Sequence, residues 1–157
     1  MGSLVEIVEP ANASDIAAVQ ELWRQYWQSL GFPLDFQGFA EELRGLPGKY
    51  APPGGRLLLA RMDGQPAGTA ALRPLCQDAG EVKRLYVCPA YRRRGIAGSL
   101  LGKVIEEARR SGYRALFGDT LASMASALDL YRSRGFVEVG PYSDNPTPGA
   151  IYLRLSL

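Results

Sequence analysis

The sequence predicts an α/β fold in which short strands and amphipathic helices follow one another as β-α-α-β-β-β-α-β-α-β-β. Three observations predict it. Asp63-Gly64 separates two apolar, β-prone runs, the pattern of a two-residue hairpin. After Gly95 the apolar residues Ala97, Leu100, Leu101, Val104, Ile105 and Ala108 recur at helical spacing, with Lys103, Glu106, Glu107, Arg109 and Arg110 on the opposite face. That helix connects a strand ending at Val87 to one beginning at Arg114, and such a crossover makes parallel neighbours. The same order fits several α/β arrangements, so motifs must choose among them.

In chain order, Leu4 to Glu9 reads as a first strand, broken by Pro10 and Asn12. Asn12 or Ser14 can cap a helix whose stripe is Ile16, Val19, Leu22, Trp23, Tyr26, Trp27 and Leu30, closed by Gly31. A second helix is expected from about Asp35 to Leu46, followed by a Pro- and Gly-rich loop to Gly55. Arg56–Met62 and Gln65–Arg73 form the hairpin; after a loop around Cys76, Gly80–Val87 is the third strand of the group. Arg114–Thr120 is a strand and Ala122–Arg134 the last helix. Phe136–Tyr142 and Ile151–Leu155 are the final strands, joined by a surface loop over 143–149.

At 157 residues with 46% hydrophobic and 22% charged content, the chain is expected to be one domain, 1–157, with a real core. No histidine occurs, so Ser-His-Asp and Cys-His mechanisms and His-ligated metals are excluded, and no metal site is expected. Cys76 and Cys88 lack C-x-x-C spacing and read as free thiols, Cys88 as a small structural residue. No apolar run approaches a membrane span, no basic-then-apolar leader is present, and Glu6 spoils the myristoylation pattern that Met1-Gly2 suggests. The expected location is cytoplasmic, with neither membrane nor nucleic acid as partner.

The chemistry concentrates between Leu85 and Gly98, where Leu85-Tyr86-Val87 leads through Cys88-Pro89 to Arg92-Arg93-Arg94-Gly95-Ile96-Ala97-Gly98 and the start of a helix. A helix N-terminus presents unpaired N–H groups and a partial positive charge, which attract phosphate. Gly95, Ala97 and Gly98 let an anion approach the backbone, and the arginines add charged donors. A solvated basic surface is the competing reading of the arginines alone. Gly98-Ser99-Leu100-Leu101-Gly102-Lys103-Val104 has Ala97 and Val104 where a Walker loop needs glycine and a hydroxyl, and the glycines do not make G-x-G-x-x-G. Nucleotide triphosphatase and dinucleotide-binding readings are set aside.

Arg92-x-x-Gly95-x-Ala97 resembles the R/Q-x-x-G-x-G/A acetyl-coenzyme A motif of the GNAT N-acetyltransferase superfamily. Ala127-x-x-Leu130-Tyr131-x-x-x-Gly135-Phe136 resembles that family's later helix and its turn into the sixth strand. The resemblance implies the GNAT fold, a mixed sheet of about six to seven strands flanked by about four helices, and acetyl-coenzyme A as co-substrate, with no metal. It implies that the cofactor lies in an opening between the fourth and fifth strands, contacting Leu85, Tyr86 and Val87, with its phosphates on Arg92, Arg93, Arg94, Gly95, Ile96, Ala97 and Gly98. It also implies Tyr131 as general acid toward the departing thiolate, and Glu81, eleven residues before Arg92, as base, directly or through water. An exposed, solvated carboxylate at a strand opening is the bland reading of Glu81. Where many members carry an asparagine on the pantetheine arm this sequence has Met124, with Ser123 or Ser126 as substitutes.

The expected activity is N-acetyl transfer to a primary amine of a small molecule; protein or peptide amines are the alternative acceptors, and a homodimer is an open assembly. Trp23, Tyr26, Trp27, Phe32, Phe36, Phe39 and Tyr50 gather aromatics in the first third, mostly as core. Asp35, Glu41 or Glu42 would attract a cationic amine, with Tyr142 or Asn145 closing the pocket. Two other classes compete: a non-catalytic coenzyme A sensor, and a nucleic-acid binder, against which the modest pI of 8.6 and the interrupting Glu106 and Glu107 argue.

Overall fold

The structure is a computed structural model describing residues 4–31, 38–143 and 148–157. Among the described residues it forms a mixed seven-stranded sheet, β1 (Val5–Val8), β2 (Arg56–Met62), β3 (Gln65–Cys76), β4 (Ala79–Val87), β5 (Ala115–Leu121), β6 (Val137–Val139) and β7 (Ala150–Ser156). Four α-helices accompany it: α1 (Ala13–Ser29), α2 (Phe39–Arg44), α3 (Ile96–Arg110) and α4 (Ala125–Ser133). The strand order is β1-β2-β3-β4-β5-β7-β6, and β4–β5 is the parallel pair that the crossover helix α3 requires.

Local chemistry explains the elements. Asn12 caps α1, its side chain accepting from Asp15 N at 2.9 Å. Asp63 and Gly64 both have positive φ, +49° and +83°, as a primed hairpin turn demands, and set the register Met62↔Gln65. Alternation along the strands divides the core. Leu58, Leu72, Val82 and Leu116 pack with Leu100, Leu101 and Val104 of α3 and with Leu128 and Tyr131 of α4. Leu57, Leu59 and Ala71 face the other way, against Val19, Leu22, Trp23 and Trp27 of α1 and Phe39 of α2. Trp27 stacks on Phe39 at 4.3 Å, and buried Trp23 donates from Nε1 to Thr69 Oγ1 at 3.1 Å. The first-third aromatics Trp23, Trp27, Phe39 and Tyr50 are therefore core; Phe32, Asp35 and Phe36 lie outside the described residues.

Several boundaries differ from the sequence expectation, α2 among them: it starts only at Phe39, after left-handed Gly38 (φ +71°), and ends at Arg44, short of the expected Leu46. β3 runs past Pro74 to Cys76, and Cys76↔Ala79 closes a tight turn where a longer loop is expected, because the edges beside Pro74 still pair with Gly80. β4 consequently begins at Ala79. α4 starts at Ala125 rather than Ala122, since Met124 (φ −96°, ψ 64°) is not helical. β6 ends at Val139, before Gly140 and Pro141, the latter unable to donate to a ladder. No helix among the described residues is long and apolar enough to cross a membrane.

Candidate active site

The sheet splits in its middle. β4 and β5 pair only from Ala79↔Ala115 to Val82↔Gly118, after which β4 continues to Val87 and β5 stays with β7. A bulge drives the separation: the β3 partners jump from Tyr86 to Lys83 across Thr69/Ala71, and Arg84 adopts φ +57°. Tyr86 faces β3 as the partner of Thr69, so alternation turns the main-chain polar groups of Val87 and Leu85 away from β3, toward the split. The Val87 carbonyl accepts there from Arg92 Nε at 2.9 Å.

The cleft in the split has four walls. α1 supplies Tyr26, β4 supplies Val82 to Leu85, β5 supplies Asp119 and Thr120, and α4 supplies Ala127 and Tyr131, with Met124 just ahead of its first turn. Tyr131 is 4% exposed and packs edge-on against Phe136 at 5.0 Å. Its ring lies over Gly118, where a Cβ would touch it at an ordinary 3.7 Å but would crowd Val82 Cγ1 at 3.0 Å. Burial, followed by the neighbouring Tyr26 and then by Asp119 and Glu81, pushes the Tyr131 hydroxyl well above its ordinary value, so it stays protonated and able to donate.

At the mouth of the split, α3 begins with Gly95 as N-cap (φ +78°) and without a side-chain cap. Ser99 N already bonds to Gly95 O, which leaves the N–H groups of Ile96, Ala97 and Gly98 as the helix's unpaired donors. The side chain of Ile96 is 2% exposed and anchors in the core, so its contribution to a ligand is its N–H alone. Arg92, Arg93 and Arg94 are exposed, and each has its own direction. Arg92 folds back on Val87 and lies 5.7 Å over the Tyr86 ring; Arg94 Nη1 approaches Met62 Sδ at 3.8 Å; Arg93 turns the loop with φ +64°. Gly98 is small for a further reason: Arg134 crosses it, donating to its carbonyl at 2.8 Å, and a Cβ on Gly98 or Gly102 would lie 3.1 or 3.0 Å from the guanidinium.

Glu81 is not the solvated strand-opening carboxylate of the bland reading. It is the third residue of β4, 1% exposed, and both oxygens are engaged. Oε1 accepts from Arg73 Nε at 2.7 Å and Nη2 at 2.6 Å; Oε2 accepts from the Tyr142 hydroxyl at 2.6 Å, with Lys83 Nζ at 3.7 Å. Glu81 adds to what raises the Tyr131 hydroxyl, yet it does not line the cleft that Tyr131 does. Ser126 is exposed on α4, outside the cleft, while Met124 lines it, its sulfur accepting from Thr120 Oγ1 at 3.8 Å.

Of the acidic residues expected to draw a cationic amine, Glu42 is committed to Arg84 Nη2, 3.2 Å from each oxygen, and to the Tyr50 hydroxyl at 2.5 Å; Glu41 is exposed. Tyr142 covers Glu81, flanked by Phe117 and Tyr152, and Asn145 lies outside the described residues. Burial pushes the Cys88 thiol up, which suits its structural reading. Sequence reasoning missed the pair Lys83 and Asp119, whose charges meet at 3.4 Å at the fork itself. Their meeting follows from the parallel register Val82↔Gly118, which no local pattern displays.

A sheet split between parallel strands, with an uncapped helix start at its mouth, defines an acyltransferase-type fold. An acetyltransferase structure from Streptococcus agalactiae superposes with a TM-score of 0.81 at 19% identity, covering 98% of each chain. YncA of Salmonella typhimurium, solved with its cofactor acetyl-CoA, gives a TM-score of 0.78 at 20% identity over 98% of this chain and 94% of that one. In sequence, an uncharacterized N-acetyltransferase of Schizosaccharomyces pombe is 34% identical over 161 residues, covering 96% of this chain and 99% of the relative. The model of the Acetyltransferase (GNAT) family matches residues 16–136. The chain belongs to the GNAT family and is an N-acetyltransferase.

Proposed function

We propose that the protein transfers the acetyl group of acetyl-coenzyme A to a primary amine of a small molecule, and that the split between β4 and β5 is where this happens. The observation that carries the reading is the combination of β4 main-chain groups turned toward the split, the uncapped start of α3 and the buried hydroxyl of Tyr131 within one cleft and its mouth. Leu85 and Val87 suit the amides of a pantetheine arm, and the N–H groups of Ile96, Ala97 and Gly98 suit a pyrophosphate. Bound there, acetyl-coenzyme A supplies an acetyl thioester, activated toward an amine.

The residues of the chain then have two proton tasks. A primary ammonium must lose protons as its nitrogen attacks the thioester carbon and the C–N bond replaces the C–S bond. Tyr131 gives its hydroxyl proton to the departing sulfur and recovers one from solvent, so that ammonium and thioester become amide, thiol and one released proton. Glu81 takes part in removing the amine's proton through an intermediary, because both its oxygens are engaged: the Tyr142 hydroxyl or a water carries the proton toward it. The test is thiol release from acetyl-coenzyme A across amino acids, polyamines, aminoglycosides and lysine peptides. Release confined to one small-amine class supports the reading, release with lysine peptides alone replaces it with a protein acceptor, and cofactor binding without release supports a sensor.

A further inference from the structure

The chain has three lysines, and each has a different setting. Lys49 is exposed on the turn Gly48–Tyr50, and Lys103 on α3 pairs with Glu106 and Glu107 at 3.8 and 3.2 Å. Lys83 lines the cleft, the one amine among its described lining residues. It is the first β4 residue past the last parallel pair, Val82↔Gly118, so it stands where the split opens. Its partners on β3 fix the face it occupies: Val82 pairs with Leu72, in the core beneath α3 and α4, and Lys83 pairs with Ala71, in the core beneath α1 and α2. The Tyr131 ring lies on the Val82 side, over Gly118. Lys83 and Tyr131 thus flank the base of the split from opposite faces. The Lys83 amine is held loosely, 3.4 Å from Asp119 Oδ1 and 3.7 Å from Glu81 Oε2, where a tight charged hydrogen bond measures roughly 2.7–2.9 Å.

We infer that Lys83 is itself an acceptor: with acetyl-coenzyme A bound and no substrate amine in the cleft, the protein acetylates its own Lys83. The inference rests on the acetyltransferase reading, which puts the thioester in this split with its sulfur toward Tyr131. An amine on the opposite face then has the thioester carbon between itself and the proton donor, and, being fixed to the strand, it needs no encounter from solution. The Nζ–C bond forms as the C–S bond breaks. Two protons leave the Lys83 ammonium for water, while Tyr131 gives one to the sulfur and recovers one from solvent. The products are acetyl-lysine, thiol and one released proton. Lys49 and Lys103 lie outside the cleft and serve as internal controls for acetylation that owes nothing to the site.

The test incubates the wild-type protein with excess acetyl-coenzyme A in a buffer free of amines, reads the intact mass over time and locates the modification by fragment mass spectrometry. The protein should gain one acetyl group at Lys83, at least about tenfold faster than at exposed Lys49 or at Lys103. Chemical acetylation without the site would favour Lys49, so the three lysines labelling alike, or Lys49 first, would overturn the inference. Protein unfolded in urea should lose the selectivity, and Lys83→Arg, which keeps the cation beside the carboxylates, should gain no acetyl group at position 83. Calorimetric titration with acetyl-coenzyme A and thiol release with added small amines, measured on the same wild-type preparation, separate the two levels. Binding and release with Lys83 unmodified overturn the inference and leave the acetyltransferase reading standing; no binding overturns both.

Discussion

The two sides of the split are built on different principles. On the α3 side the donors are main-chain N–H groups of residues 96–98 and the surrounding arginines are exposed; on the α1/α2 side the groups are paired side chains, buried Glu81 with half-buried Arg73, and half-buried Arg84 with half-buried Glu42. Backbone donors recognise phosphate whatever side chains surround them, so that half can serve any reaction that uses the same cofactor. Interlocked side chains recognise one shape and one charge pattern, and they impose it at a cost in desolvation that only complete pairing offsets. The comparison teaches that an anion site can be made from backbone alone, whereas a buried carboxylate needs its side-chain partners in place.

Breaking the buried half should have the largest effect. Arg73→Met leaves Glu81 charged and 1% exposed without its two-point partner, and should destabilise the protein by about 3–5 kcal/mol, read from denaturant unfolding. A loss below 1 kcal/mol would mean that Lys83 and Tyr142 already neutralise the site. On the other half, Gly95→Glu should weaken acetyl-coenzyme A binding about a hundredfold, near 3 kcal/mol by calorimetric titration. The fold should survive, since no heavy atom lies within 4 Å of the new Cβ and the left-handed φ of +78° costs only about 1–2 kcal/mol. Unchanged affinity would remove the α3 start from the site.

At the fork between the halves, Tyr131→Phe should lower turnover about tenfold, near 1.4 kcal/mol, while leaving cofactor affinity intact. Wild-type turnover in that variant would give the proton to another donor. The smallest effect concerns Asp15 in the first turn of α1, where the Ala11 N–H and then Arg61 hold the carboxyl below its ordinary 3.8. Its contribution to stability is complete above that value and vanishes as pH falls through the lower folded one. Asp15→Asn should therefore be less stable than wild type at pH 7, with the gap closing toward pH 2; a constant gap would show that the charge is not what matters.

The same contrast decided what could be read in advance. The α3 stripe, the Asp63-Gly64 hairpin and the Arg92-to-Gly98 loop are local patterns, and the structure carries all of them. Boundaries went astray where a strand pairing overrode a local breaker, as at Pro74, or where a breaker cut short an apolar run, as at Gly140-Pro141. Glu81 was singled out by the family resemblance, which says nothing of Arg73, eight residues earlier and opposite it on β3. Lys83 and Asp119 are 36 residues apart and become neighbours only through a parallel register, so this charge pair stayed illegible until the sheet was assembled.

Arg134 closes the α4 turn three residues after Tyr131 and grips the first turn of α3 through Gly98. The helix bearing Tyr131 and the helix that starts at Ile96 are thereby riveted at one point. On the proposed reading, the span from phosphate anchor to reacting sulfur is a fixed gauge, and the enzyme selects its acyl carrier by length as well as by charge.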